Sequence, residues 1–336
     1  MPEGKILVFA TSFNDDLPTR PPETGRGREI LENLVQLSDG RVTLEFRCNR
    51  NPHDPLTASE LDGICAIIAD LEVYDRPLLE SVGSRSGGTL ELIARYGVGY
   101  DAIDIAAATE AGVLVANTPG ANSRPTAEWA VSTLLDIAGR RMPHHERSAR
   151  GLGKDGPSRL DVSGRTLGVV GTGAIGRTVV ELLSGFGMTV IATDPYPNLA
   201  WAEEHGVKYV DLPELCETAD FITMHAAATE QIIGARDISR MKPTTALINC
   251  AREVLVDTAA AYDAVRDGRL WGYGLDEAWT HPSLPLAGLN IAVSGHVGSD
   301  TDRGKALMQL LSARSVADYF AGKKPASVIN PDVDLP

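Results

Sequence analysis

The segment 167–196 constrains the fold of this chain more than any other stretch. It reads LGVVGTGAIGRTVVELLSGFGMTVIATDPY, in which an apolar run leads into a G-x-G-x-x-G turn made by Gly171, Gly173 and Gly176. Apolar residues at helical spacing follow the turn, and a second apolar run ends at Asp194. Strand, glycine turn, helix, strand and acid in this order form the unit that binds a dinucleotide in doubly wound α/β folds.

Each glycine of the turn has a separate task. Gly171 permits the tight turn, Gly173 lets a pyrophosphate approach the backbone, and Gly176 lets the helix pack close to the strand. The first helical residues, Ala174 and Ile175, present backbone N–H groups and the positive end of the helix dipole to the phosphates. We therefore predict that these five residues bind the cofactor.

The acid at the end of the unit indicates which dinucleotide is bound. Asp194 stands eighteen residues after Gly176, where a carboxylate accepts hydrogen bonds from ribose hydroxyls. The same carboxylate would repel a 2′-phosphate, so NAD is favoured over NADP. The alternative is a glycine-rich turn with a purely structural role, but the flanking strands and the placed acid favour the nucleotide site.

Composition limits the remaining possibilities. A chain of 336 residues makes one large or two medium domains, and no apolar stretch is long enough to span a membrane. The N-terminus lacks the pattern of a signal peptide, and the four cysteines have no paired spacing, so we expect a cytoplasmic protein without a disulfide framework or metal site. A formal net charge of −14 argues against nucleic acid or an anionic membrane as a partner.

Strand-like and helix-like segments alternate along the chain, which predicts parallel sheets. The segment 140–165 is polar and contains several glycines, and we expect the tail 323–336 to be extended or loose. Helices are predicted after Asn122, over 258–267 behind the cap Asp257, and over 302–320. Strands are predicted at 5–10, 42–46, 64–69, 90–94 and 113–116 before the dinucleotide unit, and at 207–210, 221–224, 246–249, 273–275 and 291–293 after it.

Three positions carry side chains or backbone groups suited to the reduction of a keto acid. That reaction needs a cation for the substrate carboxylate, a proton donor for the developing alkoxide, and a group that orients the donor. Arg252 and His296 each follow a predicted strand, and the turn at 95–101 exposes backbone N–H groups. The alternatives are an arginine that caps a helix, a histidine that packs, and an ordinary left-handed turn.

With these motifs assembled, the chain resembles the D-isomer-specific 2-hydroxyacid dehydrogenases over nearly its whole length. The resemblance implies two doubly wound α/β domains with parallel sheets: a Rossmann cofactor domain at 118–297, inserted into a flavodoxin-like substrate domain at 1–117 plus 298–336. It also implies a homodimer in which the helix after Asn122 contributes to the contact. The motifs that carry the resemblance are RYGVGYDAID at 95–104, NTPGANSRPTAE at 117–128, the unit at 167–194, MKPTTALINCARE at 241–253 and SGHVG at 294–298.

The resemblance also assigns roles to individual residues. Arg252 matches the arginine that binds the substrate carboxylate, and His296 matches the general acid/base. Val98 and Gly99 match the loop whose amides hold that carboxylate, and Asp276 matches an aspartate beside the nicotinamide carboxamide. The implied activity is NAD-dependent hydride transfer between a 2-keto acid and a D-2-hydroxy acid.

One departure from the family pattern concerns the partner of His296. Five residues after Asp276 the family has a glutamate that supports the catalytic histidine, and here the residue is His281. We place His281 in the catalytic set as its replacement, and we expect the pKa of His296 to be lower than in enzymes with the glutamate. Glu277 is a nearby carboxylate, but on a continuing strand it would point elsewhere.

Further departures leave the activity open to alternatives. Glu253 stands where the family has glycine, while Gly295 and Ala227 replace prolines. These changes are either neutral substitutions within a working enzyme, or they adapt the site to an unusual substrate or to weak catalysis. A dinucleotide-sensing protein with weak turnover is the main rival hypothesis. Oxidation of formate or phosphite is another, although formate enzymes of this family carry glutamine rather than histidine at the position of His281.

Overall fold

The computed structural model describes residues 3–10, 13, 27–48, 50–51, 54–153, 156 and 158–334. These residues form two compact units, one made of Met1–Asn122 with Asp300–Pro336 and the other of Ser123–Ser299. The polar, proline-containing sequence of segment 14–28 predicts a loop, and most of this segment lies outside the described residues.

Parallel strands form the centre of both units, as the alternating sequence pattern predicts. Most boundaries lie within two residues of the predicted ones. In chain order the strands are β1 (Gly4–Val8), β2 (Val42–Phe46), β3 (Ile64–Ala69), β4 (Leu92–Arg95), β5 (Leu114–Ala116), β6 (Thr166–Val170), β7 (Thr189–Thr193), β8 (Val207–Tyr209), β9 (Phe221–Met224), β10 (Ala246–Asn249), β11 (Gly272–Leu275) and β12 (Ile291–Val293).

Helices connect these strands and cover the sheets. In chain order they are α1 (Gly27–Leu37), α2 (Arg76–Val82), α3 (Ile105–Glu110), α4 (Ser123–Ala138), α5 (Arg141–Ala149), α6 (Ala174–Leu183), α7 (Leu199–His205), α8 (Leu212–Thr218), α9 (Ala235–Ile238), α10 (Thr258–Arg266) and α11 (Asp302–Phe320). The predicted cap at Asp257 is confirmed, and of the two candidates Asp300 and Thr301 it is Thr301 that caps α11, because each of these side chains accepts a hydrogen bond from the first turn of its helix.

The first unit has a five-stranded sheet in the order β2-β1-β3-β4-β5, which is the flavodoxin order. Its central strand β3 is buried along its whole length, as expected for a parallel strand covered on both faces. One core packs α1 and α11 against one face, and a second core packs α2 and α3 against the other.

The second unit has a seven-stranded sheet in the order β12-β11-β10-β9-β6-β7-β8. The order reverses between β6 and β9, and such a switch point is where ligands bind, at the carboxyl ends of the strands. Helices α4, α6 and α7 cover one face, and α8, α9 and α10 cover the other. The predicted pair of doubly wound parallel sheets is confirmed.

Two polar segments are more ordered than their sequences indicate. The segment 140–165 contains α5, in which Pro143 is buried and Met142 is half-buried. Of the two alternatives for the C-terminal tail, the extended one holds at Val328, which pairs in antiparallel fashion with Ala116, and the buried Asn330 side chain accepts a hydrogen bond from Val115 N at 2.7 Å. Among the described residues, no helix is long and apolar enough to cross a membrane.

Candidate active site

The glycine turn lies between β6 and α6, at the switch point of the second sheet. Gly171 has φ +91°, which favours glycine, and its backbone packs against the chain at His225 and Ala226. A side chain at Gly176 would lie 2.1 Å from Gly171 O, so only glycine allows this close packing. Gly173, in contrast, is exposed and has open space where a Cβ would stand.

The first turn of α6 is open to a ligand. Ala174 is exposed and Ile175 is half-buried, so the backbone N–H groups of this turn face outward from the sheet edge. An exposed helix N-terminus beside Gly173, which has open space where a Cβ would stand, fits a pyrophosphate. The predicted cofactor residues therefore lie together at one edge of the sheet.

Asp194 follows β7 and reaches back to the glycine turn. Its Oδ2 accepts hydrogen bonds from Thr172 N at 2.6 Å and Thr172 Oγ1 at 3.0 Å. Its Oδ1 accepts from Tyr196 N at 2.8 Å. The acid predicted to bind ribose is thus fixed beside the turn predicted to bind phosphate.

His296 lies in the loop after β12, in the left-handed conformation with φ +66°. Its Nδ1 is 3.1 Å from Glu277 Oε1. The hydrogen bond and charge of Glu277 raise the pKa of His296, although partial burial and the nearby Arg252 guanidinium oppose the shift. The Arg252 guanidinium is therefore close enough to His296 to act on its charge.

The expectation that Glu277 would point elsewhere was wrong. Strand β11 ends at Leu275, so the alternation of side chains along a strand no longer applies at Glu277. Losing a carboxylate partner would lower the pKa of His296, but the contact with Glu277 raises it. The carboxylate that contacts His296 thus comes from the residue directly after Asp276.

His281, which we predicted as the partner of His296, has a different contact. Its Nε2 lies 2.9 Å from Glu253 Oε1, and Thr280 Oγ1 is 3.3 Å from the same carboxylate. In the described residues no hydrogen bond joins His281 to His296. His281 therefore connects its loop to the turn after β10, and the structure gives it no place in the predicted catalytic pair.

Asp276 is buried and holds the loop that carries His296. Its carboxylate accepts from Ser294 Oγ at 2.7 Å, Val297 N at 2.8 Å and Gly298 N at 2.7 Å. These bonds lie on both sides of His296 in the chain, so they fix its backbone. We predicted that Asp276 contacts the nicotinamide, and the observed bonds use three of roughly four acceptor sites on the carboxylate.

Arg252 is held by a residue that sequence reasoning missed. The fully buried Asn249, at the end of β10, donates from Nδ2 to Arg252 O at 2.8 Å and accepts from Ala251 N at 3.0 Å. These bonds close the turn from which the Arg252 side chain emerges. A polar residue at the end of an otherwise apolar strand, in the sequence ALIN, is the signal that could have identified it.

Val98 and Gly99 follow β4 in the first unit. Gly97 has φ +142° and is fixed by a hydrogen bond to Thr118 Oγ1 at 3.1 Å, and Asn117 Nδ2 donates to Val98 O at 2.9 Å. In the part of the chain that the structure describes, the N–H groups of Val98 and Gly99 have no acceptor. Two half-exposed, available N–H groups suit a carboxylate.

A second histidine at the sheet edge, His225, differs from His296 in the direction of its pKa shift. His225, directly after β9, is half-buried with Nδ1 3.1 Å from Cys250 Sγ, and desolvation lowers its pKa to about 3. It is therefore neutral near pH 7 and unsuited to donate a proton. Within the described residues, no group of three His, Cys, Asp or Glu side chains is arranged to hold a metal ion.

Comparison with known proteins gives one consistent family. A model of the NAD-binding domain of D-isomer specific 2-hydroxyacid dehydrogenases matches residues 131–298. A glyoxylate reductase of Thermococcus litoralis is 34% identical over 326 residues, which cover 91% of this chain and 96% of that protein. A D-3-phosphoglycerate dehydrogenase of Methanocaldococcus jannaschii is 37% identical over 251 residues, which cover 72% of this chain and 48% of that protein.

Solved structures agree with this result. The apo structure of D-lactate dehydrogenase from Escherichia coli is 25% identical, with a TM-score of 0.76, and covers 97% of this chain and 99% of that one. A glyoxylate reductase from Paecilomyes thermophila is also 25% identical, with a TM-score of 0.80, and covers 98% and 99%. The predicted resemblance is confirmed.

The glycine turn generates a matched pair of substitutions. Gly176→Ala places a methyl group against Gly171 O, so we expect a loss of roughly 1–3 kcal/mol in the free energy of unfolding. Gly173→Ala adds a methyl group in open space, so stability should stay unchanged while the dissociation constant for NADH rises about tenfold, or ~1.4 kcal/mol. Urea unfolding and NADH fluorescence titration measure the two effects, and equal destabilisation by both variants would contradict the assignment.

Proposed function

The chain belongs to the D-isomer specific 2-hydroxyacid dehydrogenase family, and from that premise we propose that it interconverts a 2-keto acid and a D-2-hydroxy acid. It is an NAD-dependent oxidoreductase that acts on hydroxyl donors. The observation that carries the proposed mechanism is the contact between His296 and Glu277 beside Arg252. A histidine with a raised pKa next to a guanidinium is suited to protonate a substrate whose carboxylate is anchored.

We assign the roles as follows. Arg252 binds the substrate carboxylate. His296 donates a proton to the carbonyl oxygen during reduction and removes it from the hydroxyl during oxidation. Glu277 stabilises the protonated His296 and fixes the orientation of its ring.

The cofactor site uses the residues at the edge of the second sheet. The open position at Gly173, with the first turn of α6, receives the pyrophosphate, and Asp194 receives a ribose hydroxyl. Bound NADH supplies the hydride for the substrate carbonyl carbon. Asp276 holds the loop of His296, and we assign it a positioning role in place of the nicotinamide contact expected from the family.

The side chains of the loop after β3 support a proposal for the class of substrate. Leu71 and Val73 are exposed by 38% and 58%, while Glu72 between them is only 1% exposed and accepts a hydrogen bond from Asp70 N at 2.8 Å. Because the acid is folded inward, the outer face of this loop is apolar. Tyr100, in the loop after β4, is also exposed by 41%. We propose that the preferred 2-keto acid has an uncharged, apolar substituent.

We also propose that the protein is a cytoplasmic homodimer. Helices α4 and α5 border a groove of about 560 Å³, lined by Trp129, Met142, Leu286 and Leu289, which suits a second copy of the chain. All four cysteines are unpaired thiols, which fits a reducing compartment. Light scattering should give twice the chain mass of 35.8 kDa, and a mass of one chain would contradict the dimer.

Turnover tests the proposed reaction. We expect NADH oxidation with 2-keto acids, and a higher kcat/KM for 2-ketoisocaproate than for oxaloacetate or phosphohydroxypyruvate, which carry a second negative group. His296→Gln should lower kcat by about 100-fold or more while NADH still binds. NADH binding without turnover of any keto acid would favour the sensor hypothesis, and turnover of formate or phosphite alone would favour the other rival.

The pH dependence tests the contact between His296 and Glu277. Reduction needs protonated His296, so activity is present at low pH and is lost as the pH rises through the pKa of His296. Glu277→Gln removes the main cause that raises this pKa, while Arg252 still lowers it and Asp276 still raises it. The alkaline limb of kcat/KM for reduction should therefore move to lower pH.

A matched variant controls for the loss of a carboxylate near the site. Glu253→Gln removes the partner of His281 and leaves the partner of His296 in place. The alkaline limb should keep its position in this variant, whatever happens to KM. Equal shifts in both variants would show that the site responds to total charge and would refute the specific role of Glu277.

A further inference from the structure

A chain of hydrogen bonds links the loop of Asp194 to the glycine turn through a tyrosine on β8. Asn198 N lies 3.1 Å from Tyr209 Oη, and Tyr209 Oη lies 2.8 Å from Thr172 Oγ1. Thr172 Oγ1 in turn lies 3.0 Å from Asp194 Oδ2. Three segments that are distant in sequence therefore meet at the place where the adenosine end of the cofactor is expected.

The chemistry of the groups fixes the direction of every proton in this chain. An ionised carboxylate only accepts, so the Thr172 hydroxyl donates to Asp194. With its proton used, the Thr172 oxygen accepts from the Tyr209 hydroxyl, and the Tyr209 oxygen accepts from Asn198 N–H. All donors point toward Asp194, and hydrogen bonds aligned in this way polarise one another.

The acceptor sites of Asp194 are almost filled by the protein. Oδ2 accepts twice from Thr172, and Oδ1 accepts once from Tyr196 N. A carboxylate has about four acceptor sites, so one remains, on Oδ1. The one remaining acceptor site suits one ribose hydroxyl. The three bonds to the protein leave the carboxylate no freedom to turn away from a 2′-phosphate.

We propose that Tyr209 is a positioning residue that, through Thr172, fixes Asp194 for the adenosine ribose and so determines the preference for NAD over NADP. The proposal rests on the cofactor site of the proposed function. Tyr209 is half-buried and Thr172 is 5% exposed, so the contact between them lies largely behind the surface that a ligand would touch. Tyr209 therefore acts on the cofactor through Thr172 and Asp194.

The test is direct titration of NADH and NADPH, without substrate, against Tyr209→Phe. The substitution removes both hydrogen bonds of the hydroxyl, and loss of the one to Thr172, worth about 1 kcal/mol, should raise the dissociation constant for NADH about fivefold. The constant for NADPH should rise less or fall, because a carboxylate that can move repels the 2′-phosphate less. The NADH preference therefore shrinks, which a general loss of structure would not produce.

Variants of Thr172 keep the proposal testable if Tyr209→Phe folds poorly. Thr172→Val removes the hydroxyl and should reproduce the shrunken preference, whereas Thr172→Ser keeps the hydroxyl and should restore it. Combining Thr172→Val with Tyr209→Phe should add little beyond either substitution alone, because both break one chain of bonds. Tyr319→Phe, which removes a hydroxyl bonded to Glu91 in the first unit, is the control and should leave both constants unchanged.

Three results would overturn the proposal. One is an unchanged preference in Tyr209→Phe and Thr172→Val, another is an equal loss for both cofactors, and the third is failure of the native protein to bind NADH. Because these measurements use no keto acid, they are independent of turnover. A protein that binds NADH with the expected preferences and reduces nothing would refute the proposed reaction and support the role of Tyr209.

Discussion

The buried carboxylate of Asp276 is the interaction on which the geometry of the site depends. It lies directly after β11 and accepts three hydrogen bonds from the loop after β12, including two from backbone N–H groups that follow His296. A buried carboxylate is costly unless its acceptor sites are filled, so the loop cannot move away without exposing an unsatisfied charge. His296 is thereby kept in a left-handed conformation that a non-glycine residue adopts at a cost of about 1 kcal/mol or more.

The charges around His296 follow from that fixed backbone. Glu277 is the residue after Asp276, so the bonds that hold the His296 loop also bring this loop to the carboxylate of Glu277. Arg252 opposes the effect of Glu277 on the pKa of His296, and the carboxylate has the larger effect. A bound substrate carboxylate would partly neutralise Arg252 and so strengthen the protonated state at the moment when a proton is needed. In the proposed reaction, Arg252 and His296 would therefore couple substrate binding to proton donation.

Sequence reasoning predicted features that depend on local pattern or on position at a sheet edge. The glycine turn, Arg252 and His296 all belong to this group, because parallel strands bring the residues that follow them to one edge. It failed for Glu277 and His281, because their contacts depend on where β11 ends and on the path of an irregular segment. A periodicity of two applies only inside a strand, and the sequence does not mark the residue at which pairing stops.

Two positions that the sequence analysis predicted to depart from the family pattern contact each other. His281 Nε2 lies 2.9 Å from Glu253 Oε1. Changing either residue alone would leave the other partly buried side chain without that partner. Together they connect the segment after β11 to the turn after β10, while Glu277 supplies the carboxylate that His281 cannot. The carboxylate beside His296 therefore comes from Glu277, which directly follows Asp276, and the pair of Glu253 and His281 is separate from it.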